Sequence, residues 1–128
     1  MGYNALVHTE IADERGPGLL TLVSNEMVKA QKEFFGRGPE NAKAYMLDDV
    51  LIVVMRGGLT TAERTMLDFG HPDQVRAFRQ LFQNEMSDRL MRSVSELIGR
   101  EVVTYQSQVL FDPDIMVEIF VFDSESGG

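Results

Sequence analysis

The 128-residue chain has no cysteine and no tryptophan, and only two histidines. Without thiols there is no disulfide, no thiolate metal site and no cysteine nucleophile, so any chemistry must use oxygen or imidazole. His8 and His71 stand far apart, and neither has a partner at helical or strand spacing, which argues against a metal site. Long apolar runs are missing too. The longest is Val50 to Met55, far short of the roughly 18 residues that cross a bilayer, so direct membrane insertion is not expected. The N-terminus lacks the basic and apolar regions of a signal peptide, which points to a cytoplasmic protein. Basic clusters are absent as well, and with them the means of displacing counterions from a phosphate backbone, so no nucleic-acid partner is expected. Nor does any catalytic or phosphate-binding constellation stand out, and no cofactor is implied.

The net charge of −8 is unevenly placed. Residues 1–15 carry −2 and residues 112–128 carry −5, leaving −1 for the body. Acidity at the ends solvates the chain around a nearly neutral middle. At 44% hydrophobic content the chain is long enough for one domain with a core. The expected organisation is a flexible leader over 1–18, a single α+β domain over 19–123, and an acidic, Gly-containing tail over 124–128.

Within that domain the same marks occur twice. An apolar-periodic helix ends in Gly-Arg at Gly36-Arg37 and again at Gly99-Arg100, and a dozen residues later an acidic turn divides a hairpin. Leu20, Val23, Met27, Ala30 and Phe34 recur at steps of three and four, predicting a helix over 19–35 that Gly36 caps. Lys43 to Leu47 and Val50 to Arg56 read as a hairpin closed by Asp48-Asp49. Thr60-Thr61-Ala62-Glu63 has the form of a capping box and opens a short helix to about Asp68. A long helix follows, its stripe being Val75, Phe78, Phe82, Met86, Leu90, Val94 and Leu97, with Pro72 near its start and Gly99 at its end. Glu101–Phe111 and Ile115–Phe122 form the second hairpin. The fold predicted is a two-layer α+β domain in the order α-β-β-α-α-β-β, with helices on a four-stranded, mainly antiparallel sheet and an internal αββ pseudo-repeat.

Several short motifs have plain explanations. His71-Pro72-Asp73 matches the tripeptide of J-domain co-chaperones, but the rest of that domain does not follow, and a turn with proline early in a helix explains it. Asp68-Phe69-Gly70 spells a kinase triplet with no glycine-rich loop or catalytic loop to accompany it. Asp48 and Asp49 are turn formers rather than an acid/base pair. The eight methionines suit adaptable core filling. Arg37, Gly38, Lys43, Arg56, Gly57, Gly58 and Thr60 form the candidate ligand site. Two glycine-flanked arginines should share one end of the sheet, near a helix N-terminus that favours a small anion. The alternative is that Arg37 and Arg56 pair with Glu33, Glu40 or Asp68 while the glycines only turn the chain.

The strands bear on assembly. Val50–Met55 is apolar on both faces, and so is Ile115–Phe122 apart from Glu118. Helices on one side cover half of such a sheet, and monomers rarely expose apolar patches beyond a few hundred Å². A homo-oligomer packed sheet to sheet is therefore expected.

Longer stretches resemble a known family. Ser24-Asn25-Glu26-Met27-Val28-Lys29, Phe35-Gly36-Arg37-Gly38-Pro39, Asp48-Asp49-Val50 and Gly57-Gly58-Leu59-Thr60-Thr61-Ala62-Glu63 carry the likeness. It continues through Glu96-Leu97-Ile98-Gly99-Arg100 and Asp112-Pro113-Asp114 to Glu118-Ile119-Phe120-Val121. In order and spacing these resemble the MpsC-like family of small bacterial proteins, named for a sodium-translocating system that generates membrane potential. The resemblance implies a soluble domain linked by name to ion or bicarbonate transport, and it brings no catalytic residues. The functional expectation is a non-enzymatic cytoplasmic accessory or regulatory protein that homo-oligomerises and binds a partner, such as a membrane transport protein. The alternatives are a sensor of small anions or nucleotides near the glycine-flanked arginines, and an enzyme, which the lack of an activated nucleophile disfavours.

Overall fold

A computed structural model describes residues 17–124, so most of the expected leader and tail lie outside the described residues. Three helices and four strands follow in the order α1 (Pro17–Phe35), β1 (Asn41–Leu47), β2 (Val50–Arg56), α2 (Thr61–Asp68), α3 (Pro72–Ile98), β3 (Val102–Leu110) and β4 (Ile115–Phe122). This is the α+β order read from the sequence. Pro17 and Gly18, assigned above to the flexible leader, instead form the first turn of α1. Proline is tolerated there since the first helical N–H needs no intrahelical acceptor.

The strands form one sheet in the order β1-β2-β4-β3, with every neighbouring pair antiparallel. Two hairpins thus join through their second strands. α1 packs on β1, α3 packs on β3, and the two helices touch each other. Both helices end at a glycine in the left-handed region, Gly36 at φ 80° and Gly99 at φ 81°, where a Cβ would be strained. Backbone bonds repeat the same relation across the middle of the sheet. Phe122 N–H donates to Asp49 O (2.8 Å) at one end, and Gly57 N–H donates to Asp114 O (3.1 Å) at the other.

Pairing in register places alternate residues on opposite faces. Ala44, Leu51, Val53, Met55, Met116, Phe120 and Phe122 point toward the helices and are buried with Val23, Met27, Ala30, Met86, Leu90, Val94 and Ile98. Their neighbours Val50, Ile52, Val54, Ile115, Val117, Ile119 and Val121 point the other way and are only half-buried. α2 packs against α3, within the helical layer rather than across the open face. The stripe of α3 is shifted from that expected: Arg79 is buried and Phe78 is 45% exposed. Phe78 instead packs at a tilt on Phe82 (ring centroids 4.8 Å apart) and meets Phe35 edge-on.

Candidate functional site

The residues singled out from sequence gather mainly at one end of the sheet, where Arg37, Gly57, Gly58 and Thr60 are bonded within the protein itself. Arg37 Nη2 donates to Glu40 Oε2 (3.3 Å) and to the Gly57 carbonyl (3.4 Å), which is the Arg37–Glu40 pairing considered above. Asn41 faces Arg56 in the β1–β2 register. Gly58 is packed against β4, and a Cβ there would lie 2.8 Å from Met116 Cε, so that methionine would have to move aside. Thr60 caps α2: its hydroxyl accepts from Glu63 N–H (3.1 Å), while its own N–H donates to Glu63 Oε1 (2.8 Å). Lys43 lies two residues along β1, on the open face opposite Val54, with Nζ 5.7 Å from the Tyr45 ring centroid.

Asp114 supplies an anion to this end from within the chain. Its Oδ2 accepts from Leu59 N–H (3.1 Å) and Arg64 Nη2 (2.8 Å), tying the second hairpin turn to the loop before α2. Asp114→Ala leaves the Leu59 N–H without its acceptor, a loss of about 1–3 kcal/mol of stability. Urea denaturation checks this, the midpoint falling without a change in slope.

Beside that loop lies a buried polar layer that the sequence reading missed. Arg79, 6% exposed, reaches from α3 to Glu63, 4% exposed, with Nε to Oε2 and Nη2 to Oε1 both at 2.5 Å. Its remaining protons go to the Gly58 carbonyl (3.1 Å), Gln31 Oε1 (3.3 Å) and Met116 Sδ (3.3 Å), and its guanidinium lies 3.9 Å from the Phe35 ring centroid. Burial alone would raise the Glu63 pKa, but the Arg79 guanidinium and the Thr60 N–H outweigh it and hold the carboxyl below its ordinary value. The capping box therefore has a second task, since Glu63 both closes the N-terminus of α2 and neutralises Arg79.

The second part of the layer sits on the sheet. Glu118, fully enclosed on β4, accepts from the Tyr105 hydroxyl and from Ser107 Oγ (2.6 Å), both on β3. Burial raises its pKa, with Ser107, Tyr105 and the nearby Arg79 offsetting part of the rise. The Tyr105 hydroxyl is itself pushed up, by burial first and by the Glu118 charge second. The sequence did carry a signal here: Glu118 is the one charged residue in an otherwise apolar strand. Nothing in the local pattern named Tyr105 and Ser107 as its partners.

Between α1, α3 and the sheet this layer borders a cavity of about 110 Å³, lined by Gln31, Arg76, Gln83, Tyr105 and Ser107 among others. No metal-binding group of three or more His, Asp or Glu occurs among the described residues. No described helix is long and apolar enough to cross a membrane.

The profile of the MpsC family, described as a Na+-translocating membrane potential-generating system, matches residues 19–124. An uncharacterized protein of Bacillus subtilis (strain 168), YrhF, is 29% identical over 97 residues, covering 74% of this chain and 80% of the relative. No solved structure matches. The chain belongs to the MpsC family, as the motifs between Ser24 and Val121 implied.

Proposed function

We propose that this MpsC-family chain is a cytoplasmic, non-enzymatic accessory or regulatory protein that self-associates through the open face of its sheet and binds a partner in a membrane-potential-generating system. The carrying observation is the stripe of seven β-branched residues, Val50, Ile52, Val54, Ile115, Val117, Ile119 and Val121, which no described helix covers. Four strands of seven to nine residues present a face roughly 25 by 19 Å. That footprint of roughly 475 Å² is somewhat over half of the about 800 Å² per partner typical of stable interfaces, the remainder having to come from the flanking side chains.

The stripe is self-complementary, so a two-fold that reverses the strands between copies lays it on itself. Both signs of charge flank it, with Arg56 and Glu40 at one end and Arg100, Asp49 and Asp123 at the other, so the aliphatic residues carry the contact. Surface for a different partner is supplied by Met66, Phe69, Phe78 and Leu81, apolar residues on or beside α2 and α3 that are 37–71% exposed.

Light scattering tests the reading. The chain at tens of micromolar should give twice its 14.4 kDa mass or a higher multiple. Ile119→Lys, which places a charge in the middle of the stripe, should return it to the monomer while leaving the circular dichroism unchanged. A monomer mass for the unsubstituted chain overturns the self-association. Capture of a membrane transport subunit from native cells is the corresponding result for the partner.

A further inference from the structure

The cavity on the helical side of the sheet is separate from the association face, and its wall has an uneven chemistry. In a chain with 20 acidic and 12 basic residues, no carboxylate lines it, while two arginines do. Arg79 is fully engaged, as described above. Arg76, at the mouth, has its guanidinium 4.5 Å from the Phe111 ring centroid and no acidic partner among the described residues. Its charge is therefore available to a ligand.

Gln31 gives the cavity a fixed donor. It is 3% exposed, and its Oε1 accepts from Arg79 Nη1. Arginine offers only donors, so the amide cannot turn over, and its NH2 group is the end left unused. No described residue takes a hydrogen bond from it, and Gln31 lines the cavity, so the NH2 group is open to whatever occupies that space. Gln83 adds a second amide to the wall. A space of about 110 Å³ holds only a few heavy atoms, given roughly 30 Å³ for each water in the liquid.

We propose that this cavity binds a small oxyanion of carboxylate size, with Arg76 supplying the charge and the NH2 groups of Gln31 and Gln83 supplying directed hydrogen bonds. The acceptor oxygens of such an anion satisfy the unused Gln31 donor, and a planar carboxylate matches the guanidinium fork of Arg76. Neutral ligands of the same size leave the Arg76 charge without a partner.

The test is a nuclear magnetic resonance titration of the 15N-labelled full chain with sodium acetate, using sodium chloride at the same ionic strength as the control. Saturable shifts should centre on the side-chain NH2 signals of Gln31 and Gln83 and on the backbone of Tyr105 to Gln108. Arg76→Glu, on an exposed position that leaves the core untouched, should weaken binding at least tenfold, and Gln83→Glu should do the same by placing a carboxylate in the wall. Shifts that stay linear and equal those from chloride overturn the proposal. So do saturable shifts unchanged by either substitution, or shifts that map to Gly57–Thr60 instead. Formate and nitrate, run in parallel, separate recognition of a carboxylate from recognition of any small planar oxyanion.

Discussion

Arg79→Ala should cost about 3–5 kcal/mol of unfolding free energy, because it strands the Glu63 carboxylate inside the protein without its partner. Domains of this size are stable by only about 5–15 kcal/mol, so the variant should approach the edge of folding at room temperature. More than a single pair is lost. The guanidinium connects α3 to Glu63 in α2, Gln31 in α1, the Gly58 carbonyl and Met116 in β4. Glu63→Ala should be similarly damaging, since it removes both the charge partner of Arg79 and half of the capping box. Replacing both, as in Glu63→Leu with Arg79→Met, should recover much of the loss, because apolar residues of similar volume need no partner. Urea denaturation of the four proteins gives the coupling directly. A loss below about 1 kcal/mol for Arg79→Ala would mean that the pair is hydrated in solution.

Stability should fall as the pH rises above about 4.5, and Glu118→Gln should abolish that fall. The folded-state pKa of Glu118 lies above its unfolded value, so the folded form holds the proton more tightly. Its contribution is complete below the unfolded pKa and is lost as pH rises through the folded pKa. Over that interval the slope reaches at most about 1.4 kcal/mol per pH unit. Glu63 acts with the opposite sign. Its folded pKa is lowered, so its contribution is present above the unfolded pKa and disappears as pH falls through the folded one. These two carboxyls alone place an optimum near 4.5. With its proton on, Glu118 donates to one hydroxyl and accepts from the other, and glutamine reproduces that pattern without the ionisation. Chemical denaturation from pH 4 to 9 checks the pair of curves. A parallel fall in both proteins would assign the effect elsewhere.

Much of the architecture was readable because its determinants are local. Steps of three and four fixed α1, the capping box fixed the start of α2, and glycine placed the ends of α1 and α3. Alternation in β2 and β4 showed that both faces are apolar but could not say which one the helices take. Only pairing in register answered that, and it sent Glu118 inward, leaving the outer stripe without a charge. Arg79 was hidden for a similar reason. Its place on α3, one turn after Val75 and two turns before Met86, is a core position, yet arginine reads as surface until Glu63 is brought up beside it. Asp114 is tied to Leu59 across 55 positions, a relation that no local pattern carries. Arg37, Arg56, Gly57, Gly58 and Thr60 lie at one end of the sheet, with Lys43 two residues further along β1, whereas the occupation of that end by Asp114 depends on tertiary structure alone.

The strand order has a consequence for biosynthesis. β2 pairs with β4, and Val50 precedes its partner Val121 by most of the domain, with α2, α3 and β3 made in between. At about 5–20 residues per second, the ribosome needs several seconds to deliver β4 after β2 has emerged. Throughout that interval the nascent Val50–Met55 segment has only one neighbouring strand, and a greasy ladder edge is open to other chains. Yield in the cell should therefore depend on what shelters this half-made sheet from its neighbours on the polysome.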